Sequence, residues 1–508
     1  MPVSAAWLLL GVPLATLLIF VAAGALAFPW MVRRVVYHIL NKPMSDTLAE
    51  LYVSTKSTTP MQLLYLSIRS ATGDMVIRPM GSARPSKGFD DLVFVPAQLA
   101  RRPLDVDVPV ELEAVLGRRA RRPLVMSMPI LISGMAYGLA LTRNARLALA
   151  KGARRAGVPL NSGQGPVFEE ERRLAGAYVL QFGRWAWNRD PDLLRSVDMI
   201  EVQVGQGAMP GNAVVATPDE IGPEIHELMR LPPEAAPDIH AHLFLEDPSR
   251  PATLKEVVQY LRSVNPDVPI AIKMGGGDDV EGDIDVALEA GVDVIVIDGT
   301  EGATGNAPIT LSDHFGLPSL VVLCRAVRHL RRRGARERVD LVISGGLREP
   351  GDFLKAYALG ADAVAIGTAA MFAIAHKQIT QVFPYYPPTD LVFYRSRPQI
   401  PLDVDQGAEG LYNYLMSCKR EMELAIRTLG KRSYRELTPK DLVTLDREIA
   451  EATGVRYAWL PPETAPGDGR HADGTADGAA APEEARALAA ARAGTDGRPI
   501  DGSLTIPG

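Results

Sequence analysis

The sequence predicts an α/β protein built on a (β/α)8 TIM barrel, and three observations carry that prediction. The stretch from Val292 to Thr368 holds three short apolar runs, VDVIVIDGT, VDLVISGG and ADAVAIGT, each ending in glycine-rich turns. Runs of four to six β-branched or aliphatic residues are too short for helices. Buried on both faces, they make a parallel sheet covered by helices. The glycines follow the carboxyl ends of the strands, where α/β barrels place their ligands. Finally, eight candidate strands alternate with helical patterns, and no GxGxxG turn follows the first strand as an open dinucleotide-binding sheet would require.

The elements justify this in order. Residues 6–28 (AWLLLGVPLATLLIFVAAGALAF) carry no charge, and Arg33, Arg34 and Lys42 follow them. That length spans a hydrocarbon core of ~30 Å. A cleaved signal peptide would place its positive charges before the apolar region rather than after it. By the positive-inside rule the remainder is expected in the cytoplasm, as the main body of a single-pass cell-membrane protein. Residues 1–34 are therefore expected to be a transmembrane anchor. A cap or entry segment over 35–123 follows, with basic-proline punctuation and arginines expected to be solvated or membrane-facing.

The barrel is expected over 124–375. Its strands are MPILIS (128–133), VPLNS (158–162), YVLQF (178–182), MIEVQV (199–204), IAIKM (270–274), VIVID (294–298), DLVIS (340–344) and AVAIG (363–367). The long gap between the fourth and fifth strands exceeds an ordinary βα loop and is expected to sit on the ligand face as a lid. A helical extension over 376–461 follows, with helices in QGAEGLYNYLMSCKREMELAIRTLGKRS and TPKDLVTLDREIAEATG. The tail over 462–508, rich in Ala, Gly, Asp and Pro, is expected to be disordered.

Composition removes several functions. A formal charge of −6 over 508 residues argues against nucleic-acid binding. The two cysteines, Cys324 and Cys418, form no CxxC pair, so a cysteine-held zinc or iron–sulfur site is not expected and a reducing compartment is. Asp238, His240 and His242 in DIHAHLF lack an evident further ligand, and no metal site is assigned. His314 reads as a helix-cap or supporting residue.

Motifs at the strand ends carry a more specific signal. The first strand runs into Ser133-Gly134-Met135 and the second into Asn161-Ser162-Gly163-Gln164-Gly165. The fourth reads Ile200-Glu201-Val202-Gln203-Val204-Gly205-Gln206-Gly207-Ala208-Met209-Pro210-Gly211. The fifth ends near Lys273, and the sixth in Asp298-Gly299-Thr300-Glu301-Gly302-Ala303-Thr304-Gly305. In this order, over about 129–371, they resemble the FMN-binding synthase domain of glutamate synthase. That family shows S-x-G-E-G, I-K-x-x-Q-G-A-K-P-G and D-G-x-x-G-G-T-G-A-x-P at equivalent places. The chain also resembles the stand-alone, membrane-anchored glutamate-synthase-like proteins.

The resemblance implies FMN, with the backbone of Gly345, Gly346 and Gly367, and Thr368, around its phosphate. The alternative for these glycines is tight turns alone. Lys273 would steady the anionic reduced ring, or else form a structural ion pair. Ser133, Gly134 and Met135 would run along the isoalloxazine and Gln181 would meet its polar edge; ordinary loop satisfaction is the alternative. Asp298 and Glu301 could equally hold the long turn or touch ligand.

Departures from the family pattern bear on the substrate. Its S-x-G-E-G glutamate is Gln164 here, its I-K lysine is Gln203, and its A-K-P-G lysine is Met209. With Lys273, Gln164 and Gln203 form the expected catalytic set. Neutral amides grip a dicarboxylate less strongly than charged groups. The family's cysteine cluster after the eighth strand and its amidotransferase domain with an amino-terminal Cys are not found. The expectation is an oxidoreductase of the glutamate synthase type (acting on CH–NH2 donors), passing hydride between flavin and a 2-oxoglutarate, imino- or amino-acid-like substrate. Ammonia and electrons would come from elsewhere, from a separate reductase or ammonia-supplying subunit. The alternatives are an FMN oxidoreductase for another small acid, and a non-catalytic tethered barrel binding FMN or a phosphate compound. A 2-hydroxy-acid oxidase would want a late His-Gly-x-Arg, and a nucleotide dehydrogenase a nucleophilic loop cysteine; neither is seen.

Overall fold

The computed structural model describes residues 12–43, 49–78, 81–183, 185–207, 216–237, 252–302, 307–394 and 400–462. Its centre is a closed barrel of eight parallel strands. In chain order these are β1 (Ile130–Ile132), β2 (Leu160–Asn161), β3 (Tyr178–Phe182), β4 (Met199–Gln203), β5 (Ile270–Gly275), β6 (Val294–Asp298), β7 (Asp340–Ser344) and β8 (Ala363–Ile366). Strand β8 pairs back onto β1, Ile366 opposite Ile132, and closes the ring. Every position of β3, β4, β6 and β7 is buried, which is why these strands read as unbroken apolar runs: the inner face fills the barrel and the outer face packs on helices.

The helices take their ends from local chemistry. Arg143–Ala156 starts at Thr142, whose hydroxyl accepts from the N–H of Ala145, and stops at Gly157 in the left-handed region. Leu254–Val264 begins with a Thr253–Glu256 capping box. Val404–Thr428, the long helix of the extension, lies against the Arg143–Ala156 helix. Its Gly410 sits where a Cβ would meet the carbonyl of Ala373 at 2.2 Å, so only glycine fits this crossing.

Two segments depart from the sequence expectation. The stretch 438–454, expected to be helical, contains a Thr438–Asp441 turn, the strand Leu442–Thr444 and only then the helix Arg447–Thr453. The strand pairs antiparallel with Leu92–Phe94 and parallel with Arg456–Tyr457. Its three residues are all buried, so the tertiary pairing overrides the helical pattern around it. The entry segment lies at both ends of the barrel. A hairpin of Ala114–Leu116 and Leu124–Met126 closes the floor: the N–H of Gly117 donates to Asp340 at 2.6 Å, and the N–H of Arg122 to the carbonyl of Asp267 at 2.8 Å. The arginines of this segment are not all solvated, since Arg118 bridges Asp340 and Asp362, and Arg78 grips Asp313.

The amino-terminal apolar element is one helix, Val12–Asn41, running through Pro29 and past Arg33 and Arg34. Its 27-residue portion Ala15–Asn41 is long and apolar enough to cross a membrane. The tail from 463 lies outside the described residues.

The deepest polar feature is Arg146, on the helix after β1 and fully buried. It meets Glu171 through Nε (2.7 Å) and Nη2 (2.6 Å), while Nη1 donates to the carbonyls of Met135 (2.7 Å) and Asn161 (3.1 Å). Tyr178 donates its hydroxyl to the same carboxylate at 2.6 Å; burial, with Glu171 beside it, holds that phenol well above its usual range. Removing the cation from such a pair strands a buried charge. Arg146→Met is therefore expected to lower stability by about 3–5 kcal/mol in denaturant unfolding.

Candidate active site at the carboxyl end of the barrel

The strand register sorts side chains into those facing the barrel interior and those facing the helices. Gln181 lies opposite Glu201, and Gln203 opposite Lys273. With Asn161 and Ser133 these form a polar layer where the strands end. A layer of amides, a carboxylate and an ammonium in an otherwise apolar barrel calls for close hydrogen bonding.

The bonds are present. Glu201, buried at 4 % exposure, accepts on one oxygen, Oε1, from Asn161 Nδ2 and Gln181 Nε2, both at 2.8 Å. The carboxylate thereby fixes both amides: Asn161 turns its Oδ1 to the N–H of Gly163 at 2.9 Å. Gln181 is left with its carbonyl oxygen as an acceptor. Gly134 backs onto the pair, because a Cβ there would stand 2.8 Å from Gln181 Nε2 and 2.9 Å from Asn161 Oδ1.

Lys273 is buried at 2 % exposure and donates to Ser133 Oγ at 3.3 Å. Among the described residues no carboxylate lies within ion-pair distance of it, so the structural ion pair weighed from sequence is not formed. Gln164 and Gln203 are brought together, Gln164 Nε2 donating to Gln203 Oε1 at 3.0 Å. Trp187 Nε1 holds the carbonyl of Gln164 at 2.9 Å.

Glycine turns end β7 and β8. Gly345 and Gly346 have φ of 106° and 75°. A Cβ on Gly345 would strike Ser319 Oγ at 2.6 Å, and one on Gly346 the Glu301 Cβ at 2.8 Å. Pairing of Ser344 with Ala365 sets this turn beside Gly367, which precedes the helix Thr368–Ala375 and gives it no side-chain cap. Among the described residues, the N–H groups of Gly345, Gly346, Gly367 and Thr368 donate no hydrogen bond within the protein. The space a Cβ of Gly367 would enter is open to within 3.9 Å. Free N–H groups at a helix start, with room before them, suit a phosphate.

The acidic pair on the sixth turn is structural. Asp298 accepts from the N–H of Gly207 (3.0 Å) and from Ser344 Oγ (2.5 Å). Glu301 accepts from the N–H and hydroxyl of Ser319, both at 2.9 Å. His314 ends the helix Ile309–His314 and is exposed. Burial pushes the thiols of Cys324 and Cys418 up to about 11, leaving both protonated at neutral pH. Met209, Ala303 to Gly305, and the Asp238, His240, His242 group lie outside the described residues. The described part of the long insertion carries the helix Pro223–Met229, which packs with Tyr137, Phe168 and Tyr394 beside the turn after β1.

The sequence reading missed Glu201, Asn161 and Arg146. Glu201 was detectable, since a glutamate two residues before Gln203 in a buried strand must face the same interior layer. Arg146 was not, because an arginine on a helix gives no sign of being buried.

Together, the eight-stranded parallel barrel, the interior lysine and the twin glycine turns define an FMN-type (β/α)8 barrel, and the residues present fit that cofactor. The chain belongs to the glutamate synthase family: the model described as the conserved region in glutamate synthase matches residues 87–432. It is similar to the glutamate synthase large subunit-like protein of Rhizobium meliloti (strain 1021), 34% identical over 416 residues, 77% of this chain and 93% of that protein. It is also similar to the archaeal-type glutamate synthase (NADPH) of Thermotoga maritima, 29% identical over 342 residues, 62% of this chain and 66% of that one. Among solved structures it is similar to the monotopic membrane protein (S)-mandelate dehydrogenase, with TM-score 0.44 and 18% identity over 71% of this chain and 92% of that one.

Glu201→Ala removes the acceptor that orients Gln181 and leaves two buried amides unpaired. It is expected to weaken FMN binding roughly tenfold, measured by quenching of flavin fluorescence.

Proposed function

We propose that this FMN-dependent oxidoreductase passes hydride between its flavin and an imino- or amino-acid-like substrate of the 2-oxoglutarate class. The observation that carries the reading is Lys273, a buried ammonium held by one serine hydroxyl with no counter-ion of its own among the described residues. A cation in that state is available to stabilise negative charge developing beside it. FMN, when bound, supplies the hydride chemistry. Gly345, Gly346, Gly367 and Thr368 would hold its phosphate, Ser133, Gly134 and Met135 would flank its ring, and Gln181 would accept from its polar edge.

Gln164 and Gln203 meet the substrate in this reading. Where the family motif has a glutamate and a lysine, the chain presents a mutually hydrogen-bonded amide pair, which orients a small acid without an ion pair. That pair favours a second reading, in which the acid differs from 2-oxoglutarate. Electrons, and ammonia where it is used, would be delivered by a separate reductase or ammonia-supplying subunit. In the same reading Val12–Asn41 anchors the protein in the cell membrane as a single span, with the barrel on the cytoplasmic side, where Arg33, Arg34 and Lys42 lie.

The test is the absorption spectrum of the detergent-purified full chain, then turnover of 2-oxoglutarate plus ammonium with a reduced donor. Flavin bands at about one per chain are expected, and a colourless protein that refuses added FMN overturns the assignment. Lys273→Met should keep the yellow colour and make the two-electron potential more negative by about 30 mV or more, the equivalent of ~1.4 kcal/mol. If the amide pair sets the substrate, Gln164→Glu combined with Gln203→Lys should tighten 2-oxoglutarate binding roughly tenfold, read from flavin band shifts.

A further inference from the structure

We propose that the helix Pro60–Thr72 lies on the surface of a lipid bilayer and holds the mouth of the barrel against it. The helix is well formed at both ends. Thr59 and Gln62 make a capping box, Pro60 occupies the first turn, and Gly73 closes it with φ of 72°. Yet none of its residues is buried. Met61, Leu63, Leu64 and Leu66 stand exposed, as does Met75 just beyond; Arg69 is the only charge within the helix, and Asp74 follows it. Only Tyr65 and Ile68 are half-buried. A capped helix with large apolar side chains outward is stable when something apolar covers it.

Its place is fixed from the inward side. Arg78 donates to the Tyr65 hydroxyl at 2.9 Å and grips Asp313 with both terminal nitrogens, at 3.0 and 2.5 Å. The backbone beside it pairs with the end of the β6 turn: Ile309 N–H donates to the carbonyl of Val76 at 3.0 Å, and Arg78 N–H to that of Ala307 at 3.3 Å. That turn leaves the carboxyl end of β6, so the helix sits at the rim with the glycine turns, not at the floor closed by the hairpin.

A bilayer is the occupant because of what precedes the helix. Fewer than twenty residues separate Asn41, the end of the membrane-length helix, from Pro60, and nine of them form the helix Ala49–Ser57. A lipid surface covers exposed leucines without demanding a complementary shape. This inference rests on Val12–Asn41 being a membrane span, and it adds that the rim faces the membrane plane, so substrate and redox partner approach along it.

The test uses the full chain in vesicles of phosphatidylcholine and phosphatidylglycerol, with an environment-sensitive fluorophore on Leu64→Cys and, separately, on Ile19→Cys. Lipids brominated on their acyl chains act as quenchers, and the unsubstituted chain corrects for Cys324 and Cys418. The expected result is that both labels lose about half their emission or more, with Leu66→Cys following Leu64→Cys. Quenching at residue 19 with none at 64 or 66 overturns the inference and leaves the span standing. No quenching at any of them removes the span and the inference with it.

Discussion

The Arg146 guanidinium is the fixed point of the catalytic end. Four donor contacts from one buried side chain tie Glu171 to the carbonyls of Met135 and Asn161. Those carbonyls belong to the turn after β1 and to the last residue of β2, close in sequence to Ser133, Gly134 and Gln164. Loops at a barrel mouth otherwise have few partners, and the precision a reaction needs must be supplied by groups behind them. Here it comes from an ion pair with no route to solvent.

A second constraint operates in the interior. Glu201 and Lys273 are both buried and are not paired with each other. The carboxylate is spent on two amides and the ammonium on a hydroxyl. Each charge therefore keeps an environment suited to a neighbour rather than to its opposite. The Gln164–Gln203 pair completes the layer: Gln203 is the register partner of Lys273 on the adjacent strand, so a neutral, directional amide pair sits directly beside the cation.

Much of this was legible in the residues. VIVID, DLVIS and YVLQF coincide with β6, β7 and β3 because unbroken aliphatic runs have one stable home, a parallel strand covered on both faces. The glycine turns were legible for the same kind of reason, since φ near 75–106° leaves little choice of residue. What could not be read depends on contacts distant in sequence. The strand Leu442–Thr444 exists because Leu92–Phe94 lies beside it, some 350 residues earlier in the chain. Asp298 and Glu301, open in sequence between ligand and scaffold, have scaffold partners in Gly207, Ser344 and Ser319 that no sequence spacing indicates.

The hairpin under the barrel has a bearing on traffic. With Gly117 and Arg118 bound to Asp340, the hairpin covers the floor end, and the packed interior offers no passage through the barrel. Anything that reaches the polar layer enters over one lip and must leave over it.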